Sequence, residues 1–157
     1  NDSEAGPRIR RGPTGLEYVI ATASVTGTHA DICLTQKDIR QVQLAKGALF
    51  VACRALLDRM HLDAPDKILL AGAFGSYMDK KNAMAIGMFP QMDLEKVFVV
   101  GNAAGDGARI ALLNTDKREE AVRIAARLTR HELPADPAFQ SRFMQALAFP
   151  PLNPETE

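Results

Sequence analysis

Residues 67–75 read KILLAGAFG, and residues 96–107 read KVFVVGNAAGDG. Each segment opens with a short continuous apolar run, which is typical of a buried parallel strand. Each run stops at a glycine, Gly72 or Gly101, and helical periodicity follows. Strands that alternate with helices in this way predict an α/β fold.

The residues before these runs predict a hairpin and a long helix. Residues 16–24 are apolar and β-branched, which favours a strand, and residues 31–34 form the returning strand. Thr35 and Asp38 have the spacing of a capping box, so a helix begins there and reaches about residue 61. Its wide apolar stripe predicts burial on much of its circumference. A hairpin followed by parallel strands predicts a mixed sheet with helices packed on it.

The residues after Gly75 predict four more helices and one edge strand. We expect helices at residues 82–88, after Gly101 to residue 113, from Asn114 or Thr115 to residue 128, and from the Asp136–Pro137 pair to about residue 148, with a short edge strand at Glu132 and Leu133. Three methionines, Met84, Met88 and Met92, are expected in the core rather than in a cofactor pocket.

Composition excludes several classes of function. The chain of 157 residues and 17.1 kDa is the size of one domain, and its 19 basic and 19 acidic residues cancel. That balance gives no reason to expect nucleic acid or an anionic membrane as a partner, and no apolar run is long enough to span a bilayer. Two cysteines, predicted to be apolar fillers, and three dispersed histidines predict no metal site and no catalytic residue. Asp79 and Asp106 follow the glycine turns and are either contacts to a metal–nucleotide or cap residues.

The two ends of the chain differ in composition from its middle. Residues 1–15 are polar and basic and contain Gly and Pro, so we predict a flexible linker there, and the prolines of residues 150–157 predict a flexible tail. Residues 16–149 are the expected folded domain. The first residue is Asn1, and no signal segment follows it, so the sequence is either part of a longer protein or a small cytoplasmic protein with loose ends.

The two glycine turns are the candidate ligand site. Ligands of open α/β sheets bind at the carboxyl ends of strands, where the backbone can come close to them. The candidate contacts are Gly72, Ala73, Phe74 and Gly75 in the first turn and Gly101 and Asn102 in the second. Gly72 would not block a planar ring, and Phe74 could pack on one. The alternative is that the glycines only serve tight turns and close helix packing.

One face of the long helix carries a polar stripe. Gln36, Arg40, Gln43 and Gly47 recur at helical spacing. A glycine inside a helix costs up to about 1 kcal/mol relative to alanine, so Gly47 indicates that another group approaches this face closely. The alternative is a solvated face with an incidental glycine.

Three segments together resemble a known family. Residues 34–47 (LTQKDIRQVQLAKG), 70–79 (LAGAFGSYMD) and 100–109 (VGNAAGDGAR) are similar to the C-terminal region of the ferredoxin-like reductive activators of corrinoid proteins. Residues 136–140 and 146–150 also resemble that family's terminus. The family is multidomain, with a 2Fe–2S domain and an actin-like, sugar-kinase-like ATPase domain. The resemblance implies that the chain is one lobe of that ATPase.

The resemblance implies ATP with Mg as the cofactor of the parent protein, which returns corrinoid Co(II) to Co(I) with an electron from its 2Fe–2S centre. Residues 72–75 would pack against the adenosine, and residues 101–105 would connect the lobes. The whole stripe of Gln36, Arg40, Gln43 and Gly47 would face the nucleotide cleft or the partner lobe. The implied partners are a corrinoid protein or a cobalamin-dependent methyltransferase, the other domains of the parent chain, and a second copy in a homodimer.

The sequence departs from the family pattern at its start. It has neither the Asp-x-Gly-Thr phosphate loop nor the clustered cysteines of the 2Fe–2S domain. Alone, the chain should therefore bind nucleotide weakly and should not hydrolyse it. Two other interpretations stay open: a non-catalytic docking or dimerisation module on the same fold, and an unrelated small α/β ligand-binding protein.

Overall fold

A computed structural model of the chain describes residues 8–132 and 138–151, except for the side chains of Ala73 and Phe74. The chain divides into two compact units, the first ending at Ala45 and the second beginning at Lys46. The domain limits expected at residues 15 and 149 stay predictions.

The first unit contains a three-stranded antiparallel sheet in the order β1-β2-β3. Its strands are β1 (Ile9–Gly12), β2 (Gly15–Ala21) and β3 (Ile32–Thr35). Strand β1 lies in the segment predicted to be a flexible linker, so that prediction is wrong for these four residues. Three of the Gly and Pro residues that suggested a linker, Gly12, Pro13 and Gly15, lie at the tight turn between β1 and β2, where Gly15 has a φ of +125°.

Arg10 ties the three-stranded sheet together. Its guanidinium donates to Glu17 at 2.7 Å and to Asp31, immediately before β3, at 2.6 Å. Glu17 is only 9% exposed, so its pairing with Arg10 offsets the cost of burying a carboxylate. The amide N–H of Ala23 also donates to Asp31 at 2.7 Å. This amide and the Arg10 guanidinium together hold the pKa of Asp31 below its ordinary value.

The helix α1 (Gln36–Arg59) begins as predicted. Its capping box is present: the Asp38 amide donates to Thr35 Oγ1 at 3.2 Å, and the Thr35 amide donates to the Asp38 carboxylate at 2.9 Å. Four of its residues are buried, namely Lys46, Gly47, Val51 and Leu57. The predicted burial of much of its circumference is wrong, because Leu49 and Leu56 are 47% and 48% exposed. The apolar spacing identified a face of the helix without showing that this chain covers it.

The second unit is built on a parallel pair of strands, β4 (Ile68–Ala71) and β5 (Val97–Gly101). Between them lie α2 (Gly72–Tyr77), α3 (Lys80–Ala85) and a 3-10 turn, Leu94–Lys96. The buried cluster consists of Ala83, Met84, Met88, Phe89 and Val97. Met92 packs against it, so the core assignment of the three methionines is confirmed.

Only one face of the parallel pair is covered. Ile68 and Leu70 pack against the buried cluster, whereas Leu69 and Phe98 are 55% and 48% exposed. The expectation that both strands are buried is therefore confirmed for one face and wrong for the other. The continuous apolar run correctly indicated a parallel strand, and its outward residues are left uncovered in this chain.

Three helices follow β5. They are α4 (Ala103–Leu113), α5 (Thr115–Ala125) and α6 (Phe139–Ala146). Asn114 caps α5, since its side chain accepts from the Lys117 amide at 3.1 Å, and α3 begins slightly earlier than predicted because Asp79 caps it. Glu132 is not in a strand, and Leu133 and the Asp136–Pro137 pair lie outside the described residues.

The α/β class is confirmed. Antiparallel and parallel pairing are both present, in two separate sheets within the described residues. None of the helices in the part of the chain that the structure describes is long and apolar enough to cross a membrane.

The Asp31 contacts predict a dependence of stability on acid. A carboxylate whose pKa is lowered by folding stabilises the native state above its unfolded pKa of about 4, and this contribution is lost as the pH falls through the lower folded pKa. The variant Asp31→Asn should therefore be less stable than the parent at pH 6, and the difference should shrink toward pH 3. Urea midpoints measured between pH 3 and 7 test this, with the exposed Asp66→Asn as control. A difference that stays constant with pH would contradict it.

The buried cluster predicts unequal effects at two methionines. Met84 is 7% exposed and Met60 is 66% exposed. Met84→Ala should lower the free energy of unfolding by about 2 to 5 kcal/mol because it leaves a cavity. Met60→Ala should change it by less than about 0.5 kcal/mol. Urea unfolding of the two variants compares them directly, and equal losses would mean that the cluster is not the core of the second unit.

Candidate functional site

The candidate site lies where the two parallel strands end. In β4 and β5, Leu70 is paired with Val99 and Ala71 with Gly101, so a register shift occurs at the last pair. Gly72 follows Ala71 directly and opens α2. Parallel pairing therefore places Gly72 and Gly101, about 30 residues apart in sequence, next to each other at the carboxyl edge of this sheet.

Gly72 and Gly101 have backbone conformations that favour glycine. Their φ angles are +90° and +65°, in the region that side-chain-bearing residues rarely adopt. A Cβ atom added to either would meet no heavy atom within 4 Å. Close packing within the chain therefore does not explain these two glycines. Their backbone faces open space, as contact with a ligand requires and as a simple turn also permits.

Glycine is needed at position 75 for a different reason. A Cβ atom there would lie 3.1 Å from the carbonyl group of Leu70, so the glycine lets α2 pack closely on β4. Ser76 Oγ donates to the Gly72 carbonyl at 3.2 Å and so bonds within the same helix. The segment predicted as a glycine turn, residues 72–75, is thus the first part of a short helix. The ligand roles of Ala73, Phe74 and Gly75 stay predictions.

Asn102 caps α4. Its side chain accepts from the Gly105 amide at 3.1 Å, and a Cβ atom on Gly105 would lie 2.5 Å from the Asn102 amide nitrogen. The side-chain oxygen is therefore used within the helix start, which leaves the backbone of Gly101 and Asn102 as the surface offered to a ligand. Asp79 is also a cap residue, since it accepts from the Asn82 amide at 2.7 Å.

The polar stripe of α1 divides between the two units. Gln36 and Arg40 are exposed and Gln43 is half-buried, all in the first unit. Gly47 lies in the second unit, where a Cβ atom would be 3.2 Å from Leu147 Cδ2 and 3.4 Å from the Ala146 carbonyl oxygen. The close approach that Gly47 indicated is confirmed, and the approaching group is the chain's own C-terminal helix end. The predicted stripe is thus a ligand candidate only at its first three positions.

Clustered metal ligands and reactive thiols were sought among the described residues. Among residues 8–132 and 138–151, no group of three or more His, Cys, Asp or Glu side chains is placed to hold a metal ion. Cys33 and Cys53 are free thiols. Burial raises the pKa of both, and the Glu17 carboxylate adds to the effect at Cys33. Neither thiol is activated as a nucleophile.

A cavity of about 480 Å³ in the second unit was not predicted from the sequence. Its lining residues are Phe50, Val51, Arg54, Asp58, Arg142, Gln145 and Ala146. Asp58 accepts from Arg54 at 2.8 Å and from Arg142 at 2.7 Å, so one carboxylate joins two guanidinium groups. The helical spacing of Arg54 and Asp58 was a visible signal, but nothing in the sequence linked either residue to Arg142.

Three comparisons with known proteins agree. Residues 1–156 match the family model described as the C-terminal domain of RACo, the ASKHA domain. The chain is 39% identical over 137 residues to the corrinoid activation enzyme RamQ of Eubacterium limosum, covering 84% of this chain and 23% of the enzyme. It also resembles a solved structure of a reductive activator for corrinoid, iron–sulfur protein, with a TM-score of 0.83 and 38% identity over 92% of this chain and 23% of the other. The chain thus spans about a quarter of the length of these relatives.

The geometry at the strand ends predicts opposite effects of alanine at two neighbouring glycines. Gly101→Ala should lower the free energy of unfolding by roughly 1 to 2 kcal/mol, because its φ is positive although there is room for a methyl group. Gly107 is inside α4 and also faces open space, so Gly107→Ala should be neutral or stabilise by up to about 1 kcal/mol. Thermal unfolding of both variants tests the pair. A stabilised Gly101→Ala would show that the strand does not end in this conformation.

Proposed function

Because the chain belongs to the family of RACo C-terminal domains, which are ASKHA domains, we propose that it is the C-terminal part of an ATP-dependent reductive activator of corrinoid proteins. In this proposal the parent protein transfers one electron from its 2Fe–2S centre to the corrinoid, and Co(II) becomes Co(I). ATP binding and hydrolysis make this unfavourable transfer possible by changing the conformation of the corrinoid partner. Two relatives, a corrinoid activation enzyme and a reductive activator, support the proposal.

The observation that carries the proposal is the pair of open glycines at adjacent strand ends. Gly72 and Gly101 present bare backbone with nothing within 4 Å of a would-be Cβ atom. Such a surface fits the flat face of an adenine ring and the neighbouring ribose, which need close backbone approach rather than charge. Nucleotide contact is proposed for Gly72, Ala73, Phe74 and Gly75 in α2 and for Gly101 and Asn102 before α4.

The remaining parts of the nucleotide have no matching residues in this site. Among the described residues, no group of three or more His, Cys, Asp or Glu side chains is placed to hold a metal ion, and the side-chain oxygen of Asn102 is used in capping α4. We therefore assign the triphosphate and Mg²⁺ to the other lobe of the parent protein. Bound there, the triphosphate would supply the free energy of hydrolysis. Gln36, Arg40 and Gln43 of α1 are proposed to face the nucleotide cleft or that second lobe.

An iron–sulfur cluster does not fit this chain. A 2Fe–2S cluster needs four ligands, usually cysteine thiolates, and the chain has only Cys33 and Cys53, whose pKa values are raised. The two residues also lie in different compact units. The electron-carrying centre of the proposal is therefore placed elsewhere in the parent protein, and no electron-transfer step is assigned to these residues.

Exposed apolar residues favour a second candidate, a docking or dimerisation module on the same fold. On α4, Leu112 and Leu113 are 74% and 78% exposed, and on α5 Val122 is 66% exposed. Apolar residues exposed in this number usually contact another protein surface. The partners proposed for it are the other domains of the parent chain, a corrinoid protein or cobalamin-dependent methyltransferase, or a second copy. The cytoplasm is the proposed location because ATP chemistry and free thiols belong there.

Substitution of Gly72 separates the two candidates. In the full-length protein, Gly72→Val should reduce ATP turnover by at least about tenfold, because its branched side chain occupies the space proposed for adenosine. Gly72→Ala adds only one methyl group, with less backbone strain than the β-branched valine, and should reduce turnover less. Equal thermal stability of the two variants would show that the difference arises at the ligand. Unchanged ATP turnover in Gly72→Val would contradict the adenosine assignment and leave the docking module as the better candidate.

A further inference from the structure

Within the second unit, the last described residues of the chain contact residues that are far from them in sequence. We call residues 139–150, which include α6, the C-terminal clasp. Leu147 and Ala146 lie against Gly47, and Pro150 lies against Gly87, where a Cβ atom would be only 2.9 Å from Pro150 Cγ. Both glycines thus leave room for the clasp.

The middle of this contact is a buried lysine. Lys46, on α1 beside Gly47, is 2% exposed. Its ammonium donates to the Ala148 carbonyl and lies 5.3 Å from the centroid of the Phe149 ring. Within residues 8–132 and 138–151, no carboxylate lies within ion-pair distance of it. Burial accordingly lowers the pKa of Lys46.

The partners of Lys46 are few for a buried cation. An ammonium has three donors, and among the described residues it meets one carbonyl and one aromatic face. Lys80 provides a comparison in the same unit: it donates to the Leu94 carbonyl at 2.7 Å and to the Val97 carbonyl at 3.2 Å, and it is less buried. The cost of removing a charge from water is therefore less completely offset at Lys46 than at Lys80.

No residue of the clasp is fully buried, although Phe139, Phe143 and Leu147 are half-buried. Met144 is 61% exposed and Phe149 is 41% exposed, and the ion pair of Arg142 with Asp58 is partly exposed. A segment with few buried apolar contacts opens before the rest of a protein unfolds. Lys46 regains its hydration when the clasp leaves, whereas Gly47 and Val51 of α1 lose their cover.

We propose that the C-terminal clasp is a reversible strap that undocks from α1 before the protein unfolds globally. The buried charge of Lys46 destabilises the docked state and so makes this undocking easier. The charge acts against docking, and the contacts at Gly47, Gly87 and Asp58 act for it. The balance gives this unit two states, one with the apolar face of α1 around Val51 covered and one with it open.

Hydrogen exchange of the full-length protein tests the strap. Lys46→Met keeps the length of the side chain and removes the charge, so exchange of the α6 amides should slow by about tenfold as the docked state gains population. Lys80→Met is the matched control and should leave α6 exchange unchanged. Equal or faster α6 exchange in Lys46→Met would overturn the proposal, since Lys46 would then be neutral or would hold the clasp in place.

A second variant keeps the test decisive if Lys46→Met does not fold. Arg142→Gln removes the ion pair with Asp58 and should speed exchange of α6 at least about threefold while the amides of β4 and β5 keep their parent rates. Exchange of α6 and the two strands at one common rate, in the parent and in this variant, would show that the clasp opens only by global unfolding and would overturn the proposal.

Discussion

Parallel strands cannot be joined by a tight turn, and this constraint shapes the second unit. The connection between β4 and β5 must cross over one face of the sheet, and it does so through α2, α3 and the segment that follows them. That crossover carries most of the buried cluster, in which Val97 of β5 is 2% exposed. The same pairing brings Gly72 and Gly101 together at the carboxyl edge. The core and the candidate site are therefore two results of one strand pairing.

The uncovered apolar surface has a consistent pattern. One face of the β4–β5 pair packs on the cluster and the other is open, and α4 and α5 expose leucine and valine side chains. The relatives are about four times as long as this chain, since it spans 23% of each. A lobe that belongs to a larger protein needs such surface for its neighbours. This is why the adenosine proposal and the docking proposal are compatible, although the Gly72 variants separate them experimentally.

The sequence predicted best what depends on local chemistry. The capping box of Thr35 and Asp38, the end of β4 at Gly72 and the cap at Asn114 follow from residue types at fixed spacing, and all are confirmed. Burial was predicted poorly, because periodicity shows which face is apolar but not what covers it. Strand β1 was missed because its contacts are with other segments: it pairs with β2, and Arg10 bonds to residues 7 and 21 positions away. The candidate ligand contacts themselves stay predictions.

Glycine illustrates why the site could be predicted only in part. Gly72 and Gly101 are needed for their backbone angles, whereas Gly47 and Gly75 are needed because other atoms come within about 3.5 Å. The sequence does not distinguish these causes, so Gly47 was grouped with Gln36, Arg40 and Gln43 in one ligand-facing stripe. In the structure, Gly47 instead contacts the C-terminal clasp, so it does not share the proposed ligand role of the other three residues. Helix α1 thus carries proposed ligand contacts near its start and the seat of the clasp, with Lys46 buried in it, near its middle.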